Sequence, residues 1–317
     1  MTRDLVGYGR DRPQLRWPGG ARVAVNIVVN IEEGSERTFD TDGIIEGLVE
    51  VPRRVGDDIR DFAVESMYEY GSRVGAVRLL RLLRERGVAA TAFAAAVALE
   101  RNPAIVDELR EGGHEVCSHG YRWAEAWRMS DAEEKDHITQ AVSTIAAVTG
   151  EPPVGWYSRW MPSHRTRGLL VAHGGFLYDA DAYNDDLPYY VQVAGRPHLV
   201  IPYSLTYNDA HYSYGTFSCP GDFVEYCRRA VSFLSSESGG APSLLSIGLH
   251  PRLSGQAARA DAVREIVDRL LDNTDVWLTT RRQIAEYWQA QVPPPSPKGS
   301  PDRKDSLGPA RSTAAVE

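Results

Sequence analysis

Residues 21–31, ARVAVNIVVNI, carry one charged side chain in eleven positions and are dominated by Val and Ile. An apolar, β-branched run without polar alternation is the pattern of a strand buried on both faces, as in a parallel sheet covered by helices. Parallel neighbours cannot be joined by tight turns, so each needs a crossover, usually a helix.

The rest of the chain supplies such crossovers. Residues 70–86 space their apolar side chains for a helix, closed by Gly87, and residues 88–95 read as the next strand. A helix is expected over 102–111, ending at Gly112 and Gly113, followed by a strand at 114–118 that runs into His119. Ser130 with Glu133 three residues on is a capping-box signature, opening a helix towards Gly150. Strands are expected at 154–157, 176–181, 198–203, 243–249 and 276–279, and helices at 165–173, 222–235, 256–271 and 281–291. Repeated βα units without a sustained hairpin signal point to a barrel or a doubly wound sheet in a single α/β domain.

The boundaries follow from composition. Residues 1–20 are a polar, Pro- and Gly-rich arm, residues 21–291 hold the barrel, and 292–317 are a Pro-, Ser- and Gly-rich stretch read as a disordered tail. A net charge of -8 argues against a nucleic-acid partner. Three cysteines without a CxxC spacing give neither a disulfide framework nor a thiolate zinc site. No apolar segment suits a signal peptide or membrane span, so a cytoplasmic address and no membrane partner are expected.

In parallel α/β folds, reactive groups collect at the carboxyl ends of strands. Four polar clusters fall at such ends: Asn30 with Glu32, Glu33 and Glu36; SHGYRW at 118–123; YDADAYNDDLPYY at 178–190; and His250 with Pro251 and Arg252. Taken singly, each has an ordinary reading as loop acid, helix cap or hydrogen-bonded structural histidine. Their recurrence at successive strand ends is what singles them out.

The order of these clusters resembles the polysaccharide-deacetylase superfamily, with its acidic pair, its His-x-x-x-His motif and its final Leu-x-His-type motif. The counterparts are Glu32 and Glu33, then His119, then Gly248-Leu249-His250, where Gly248 makes the last match loose. Within the superfamily the chain is most similar to the allantoinase branch. The stretches that carry this are RDLVGYGRDRP (3–13), IEEGSERT (31–38), ESMYEYGSRVG (65–75), HEVCSHGYRW (114–123), GGFLYDADAYNDDLPY (174–189) and LSIGLHPRL (245–253). The resemblance implies a distorted (β/α) barrel and hydrolysis of a carbon–nitrogen bond.

Two departures bear on cofactors. Trp123 stands where the second histidine of His-x-x-x-His belongs, and Glu32 and Glu33 replace paired aspartates. A divalent site wants about three protein ligands, so no metal is expected. If zinc is bound, Glu33, His119 and His250 are its candidate ligands. The catalytic set expected is Glu32, Glu33, His119 and His250: one glutamate as base on water, one histidine as donor to the oxyanion or leaving nitrogen. Trp123, Arg159, Trp160, Asp185 and Tyr189 are the expected substrate contacts, with Arg159 suited to a carbonyl or ureido group. The expected substrate is a small cyclic amide such as allantoin, a hydantoin or an imide. Competing readings are a metal-dependent N-deacetylase and a catalytically silent ligand binder. A homo-oligomer is expected on family likeness alone.

Overall fold

The first apolar run forms β1 (Val23–Ile31), whose nine residues are all buried. It stands inside a nine-stranded sheet of the computed structural model, which describes residues 3–51, 56, 59–237 and 240–295. The others are β2 (Thr91–Ala94), β3 (Glu115–Ser118), β4 (Gly155–Trp156), β5 (Tyr178–Asp179), β6 (Tyr189–Val193), β7 (Arg196–Val200), β8 (Ser243–Leu249) and β9 (Val276–Leu278). The order is β6-β7-β5-β4-β3-β2-β1-β8, with β9 also on β1. All pairings are parallel except β6 with β7.

Two irregularities distort the barrel. β9 pairs with Val23–Val25 and β2 with Val28–Ile31, so these two strands share one edge of β1 while β8 takes the other. On the free side of β8 no regular strand among the described residues completes the circle. Leu244 N–H donates to Asp186 O at 2.7 Å and Gly248 N–H to Tyr207 O at 2.8 Å, so irregular segments satisfy that edge. Arg281, fully buried, ties the closure by donating to the carbonyls of Ile201 and Pro202 and to Ser246 Oγ.

Alternation along β1 sorts its side chains. Val23, Val25, Ile27, Val29 and Ile31 pack outward with helical residues such as Leu79, Leu80 and Leu83. Burying each such side chain is worth about 1.5–3 kcal/mol. Ala24 and Val28 face inward with Phe93, Tyr157 and Tyr203, and Asn26 and Asn30 share their parity. Glu32 continues that inward-facing set just beyond the strand.

The expected helices form, with both halves of the Ser130–Glu133 capping box present. The helix expected from residue 70 starts earlier, as Phe62–Tyr70, and passes through a π turn at Gly71–Gly75 into Ala76–Glu85. One expectation is corrected: β6 and β7 are a hairpin. Its turn uses Ala194 and Gly195, both at positive φ (48° and 76°), and lacks the Asn-Gly or Asp-Gly pair that announces such turns. The N-terminal arm is docked, with Trp17 buried against Trp277, Tyr287 and Trp288 and its Nε1–H donating to Ser243 O at 2.9 Å. The tail lies outside the described residues from 296 onward. Among the described residues no helix is long and apolar enough to cross a membrane.

Candidate active site

Strand register brings the key residues together. Val29 pairs with Leu249, Ile31 with Ala94, and Ala94 with Ser118, so Glu32, His119 and His250 emerge side by side at one barrel end. Glu32 is the hub. Its Oε1 lies 3.2 Å from His119 Nε2, and its Oε2 lies 3.2 Å from Arg252 NH1 and 3.8 Å from His250 Nε2. Burial alone would raise this carboxyl; the hydrogen bond from His119 and the charges of His250 and Arg252 outweigh it and hold it well below the usual range.

Glu33 is in the opposite condition. Burial pushes it up to about 7, with Arg252 opposing and Glu32 adding to the rise. Its Oε1 accepts the Arg252 backbone N–H at 3.1 Å, while Oε2 is buried without a partner. The helix behind it approaches so closely that a Cβ on Gly71 would stand 2.5 Å from Glu33 Oε1. That π turn, a type of irregularity often found at functional sites, presses Gly71 and Gly75 onto the loops that carry Glu33 and Pro251.

The two histidines are fixed differently. His119 Nδ1 faces the Tyr157 carbonyl at 2.7 Å and must donate there, and its ring stacks on that of Tyr157 at 5.0 Å. Its Nε2 contact with Glu32 is favourable only with one proton in it. His250 Nδ1 lies 2.6 Å from Asp209 Oδ1, and its backbone N–H donates to Asp209 Oδ2 at 2.7 Å. Burial opposes the charged ring, but Asp209 and Glu32 more than offset it, and the imidazole is raised above its ordinary value. Nε2 is left facing Glu32 across a gap too long for a hydrogen bond, with capacity for a third group.

A wall of alternating rings and guanidiniums runs outward from this centre. Arg252 lies over Tyr68 at 5.9 Å, and Tyr68 meets Trp123 edge to face at 5.9 Å. Arg159 is sandwiched between Trp123 and Trp160, at 3.9 and 3.7 Å from the ring centroids. Trp160 is exposed and sits at φ 61°, unusual for a non-glycine residue. Arg159 is not free, because its NH2 donates to Glu46 at 2.8 Å. Residues 36–51 act as a strap over this wall: Ile45 and Leu48 pack with Tyr68 and Trp123, and Glu50 pairs with Arg252 at 3.2 Å. The group is enclosed, with no side chain among Glu32, Glu33, His119, His250 and Arg252 more than 13% exposed. One open cleft lies away from this group, lined by Cys227, Ile266 and Leu270 on the helical face.

Glu32, Glu33, His119 and His250 are thus brought together, and Trp123, Arg159 and Trp160 form the adjoining wall. Asp185 and Tyr189 are placed apart. Asp185 accepts from Leu187 N–H, and its neighbour Asp186 bonds Leu244, six residues before His250 and so roughly 20 Å down the strand. Tyr189 begins the outermost strand and donates to Asn184. Sequence reasoning missed Asp209, which opens a short 3-10 helix (Asp209–Tyr212), and Glu46 and Glu50, which lie outside any helix or strand. It placed Arg252 in the cluster with His250 but gave it no role.

As a cation site the donors fit poorly. Arg252 already places a fixed positive charge 3.2 Å from Glu32 and 3.6 Å from Glu33. Among the described residues no group of three or more His, Cys, Asp or Glu converges as metal ligands.

Comparison with known proteins agrees with this architecture. The family model described as polysaccharide deacetylase matches residues 58–161. A relative in Schizosaccharomyces pombe, named for the polysaccharide deacetylases, is 36% identical over 92% of this chain and 98% of its own. Two solved structures, a Puue allantoinase and a Pseudomonas aeruginosa PAO1 protein assigned to the polysaccharide deacetylases, superpose with a TM-score of 0.87. Each is 41% identical and covers 92% of this chain and 99% of its own.

Proposed function

The chain belongs to the polysaccharide deacetylase family, and from that footing we propose that it hydrolyses a carbon–nitrogen bond in a small cyclic amide, in the manner of an allantoinase and without a metal ion. The observation that carries this reading is the position of Arg252. Its guanidinium lies against Glu32 and Glu33, so a fixed positive charge already stands beside the pair and would repel a divalent cation there. The enclosed, aromatic-walled site suits a small ring better than a polymer. The likeness to the Puue allantoinase over nearly the whole chain supports the same choice.

Amide hydrolysis needs an activated water and a protonated leaving nitrogen. Glu32, held ionised by three neighbours, is a weak base. His250 is better placed. Asp209 fixes its Nδ1–H, as an orienting carboxylate does in a catalytic triad, and leaves Nε2 to take a proton from water and return it to the ring nitrogen. Glu32, 3.8 Å from that nitrogen, balances the imidazolium that forms between the two transfers. His119 and Arg252 keep Glu32 in place.

The deciding experiment is allantoin hydrolysis by purified protein before and after dialysis against a chelator, with metal content measured on the same sample. Ring opening that survives metal removal is expected. Activity only with added zinc, or none on allantoin or any hydantoin, overturns the reading in favour of a metal-dependent deacetylase.

A further inference from the structure

The site holds an excess of carboxylates. Glu32, Glu33, Glu46, Glu50 and Asp209 surround two arginines, Arg159 and Arg252. Arg252 is spent on Glu32, Glu33 and Glu50. Arg159 is different: it is 5% exposed, clasped by two indole faces, and its Nε is buried without a partner. A guanidinium so presented is a ready clamp for a carboxylate. Glu46 pre-empts it with a 2.8 Å hydrogen bond. Behind Glu46, Arg37 lies at 3.9 Å and is itself turned to Glu125 at 3.3 Å.

We propose that Glu46 is a charge filter: by neutralising Arg159 it makes the site accept uncharged cyclic amides and reject those bearing a carboxylate, including the carboxylate that its own reaction makes. This inference rests on the cyclic-amide reading. Hydrolysis adds hydroxyl to the carbonyl carbon and a proton to the ring nitrogen as the bond between them breaks, and the acid formed ionises. A neutral ring therefore enters and an anion must leave. An unmasked Arg159 would hold that anion, whereas in the Glu46–Arg159 pair this guanidinium is already taken.

The test compares wild type, Glu46→Gln and Glu46→Gln/Arg159→Met on two probes, hydantoin and hydantoin-5-acetate. Both kcat/KM and dissociation constants from tryptophan fluorescence are measured, together with inhibition by the ring-opened product. Glu46→Gln is expected to shift the anion-to-neutral ratio by about 10-fold or more towards the anion and to tighten product inhibition similarly. Adding Arg159→Met is expected to cancel both gains. An unchanged ratio in a folded Glu46→Gln protein overturns the filter, as does a gain that persists without Arg159. Glu46→Ala serves the same comparison if the Gln variant does not fold. Absence of turnover on every ring fails the cyclic-amide reading instead, while turnover with an unchanged ratio fails only the filter.

Discussion

Asp209 grips His250 twice, through Oδ1 to the ring Nδ1 at 2.6 Å and through Oδ2 to the backbone N–H at 2.7 Å. The carboxylate therefore sets both where the imidazole stands and which nitrogen carries its resident proton. A histidine at the end of an apolar strand has many ways to be merely structural. One held in this manner, with Nε2 turned to a second carboxylate, is prepared to move a proton.

Replacing Asp209 by Asn keeps the shape and removes the charge. By analogy with triads stripped of their orienting carboxylate, kcat should fall about 100-fold or more with little change in KM. Steady-state kinetics beside a circular dichroism spectrum will check this. A loss under threefold would remove His250 from the proton path.

The same pair sets a titration. His250 is raised by Asp209 against the opposing effect of burial, so activity that needs its neutral form is lost as pH falls through a midpoint above the ordinary 6.5. In Asp209→Asn that midpoint should move down. Proton NMR of the His250 ring in both proteins reads the shift directly, and coincident titrations would contradict the assignment.

Glu33 makes a stability prediction of definite sign. Its folded-state value, about 7, lies above its ordinary 4.5, so between those values the folded protein keeps a proton that the unfolded chain has released. The stabilisation is complete below 4.5 and is lost as pH rises through 7, on the order of 3 kcal/mol across the window. Glu33→Gln should therefore show a flatter decline in Tm between pH 5 and 7 than wild type. Parallel curves would mean that the glutamate is ionised throughout.

Much of this site was legible in the sequence because strand ends are. The apolar runs before Glu32, His119 and His250 place those residues on one rim once parallel pairing is granted, and parity along β1 puts Asn30 and Glu32 on one face. What the sequence did not disclose is pairing between loops. Asp209 follows no strand, and Glu46 and Glu50 lie in a polar insertion whose register against Arg159 and Arg252 is fixed only by tertiary packing. Asp185 is placed apart for the converse reason: its acid-rich stretch carries no periodicity to fix its position, and the neighbouring Asp186 carbonyl accepts from Leu244 on β8. The Ala194–Gly195 hairpin carried no recognised turn pair.

Two glycines test how tightly the π turn is seated. A Cβ on Gly71 would meet the Glu33 side chain, whereas one on Gly75 would meet the Pro251 carbonyl, a backbone atom with little room to yield. Gly71→Ala should cost about 1–3 kcal/mol and disturb the titration of Glu33. Gly75→Ala should cost more, and denaturant unfolding will rank them. Equal, small losses would show that the turn relaxes freely.

Trp123 stands four residues after His119, the spacing of the second histidine in a His-x-x-x-His motif, which invites the substitution Trp123→His. The indole is buried between Tyr68 and Arg159, so its removal should cost on the order of 3 kcal/mol. It should not create a zinc site, because Arg252 would still lie 3.2 Å from Glu32 and His250 Nδ1 would still be taken by Asp209. Calorimetry on chelator-treated protein should find zinc binding no tighter in the variant than in wild type. One-to-one binding at micromolar or lower zinc, accompanied by new deacetylase activity, would show that one substitution separates this site from a metal-dependent one and that Arg252 is no barrier to the cation.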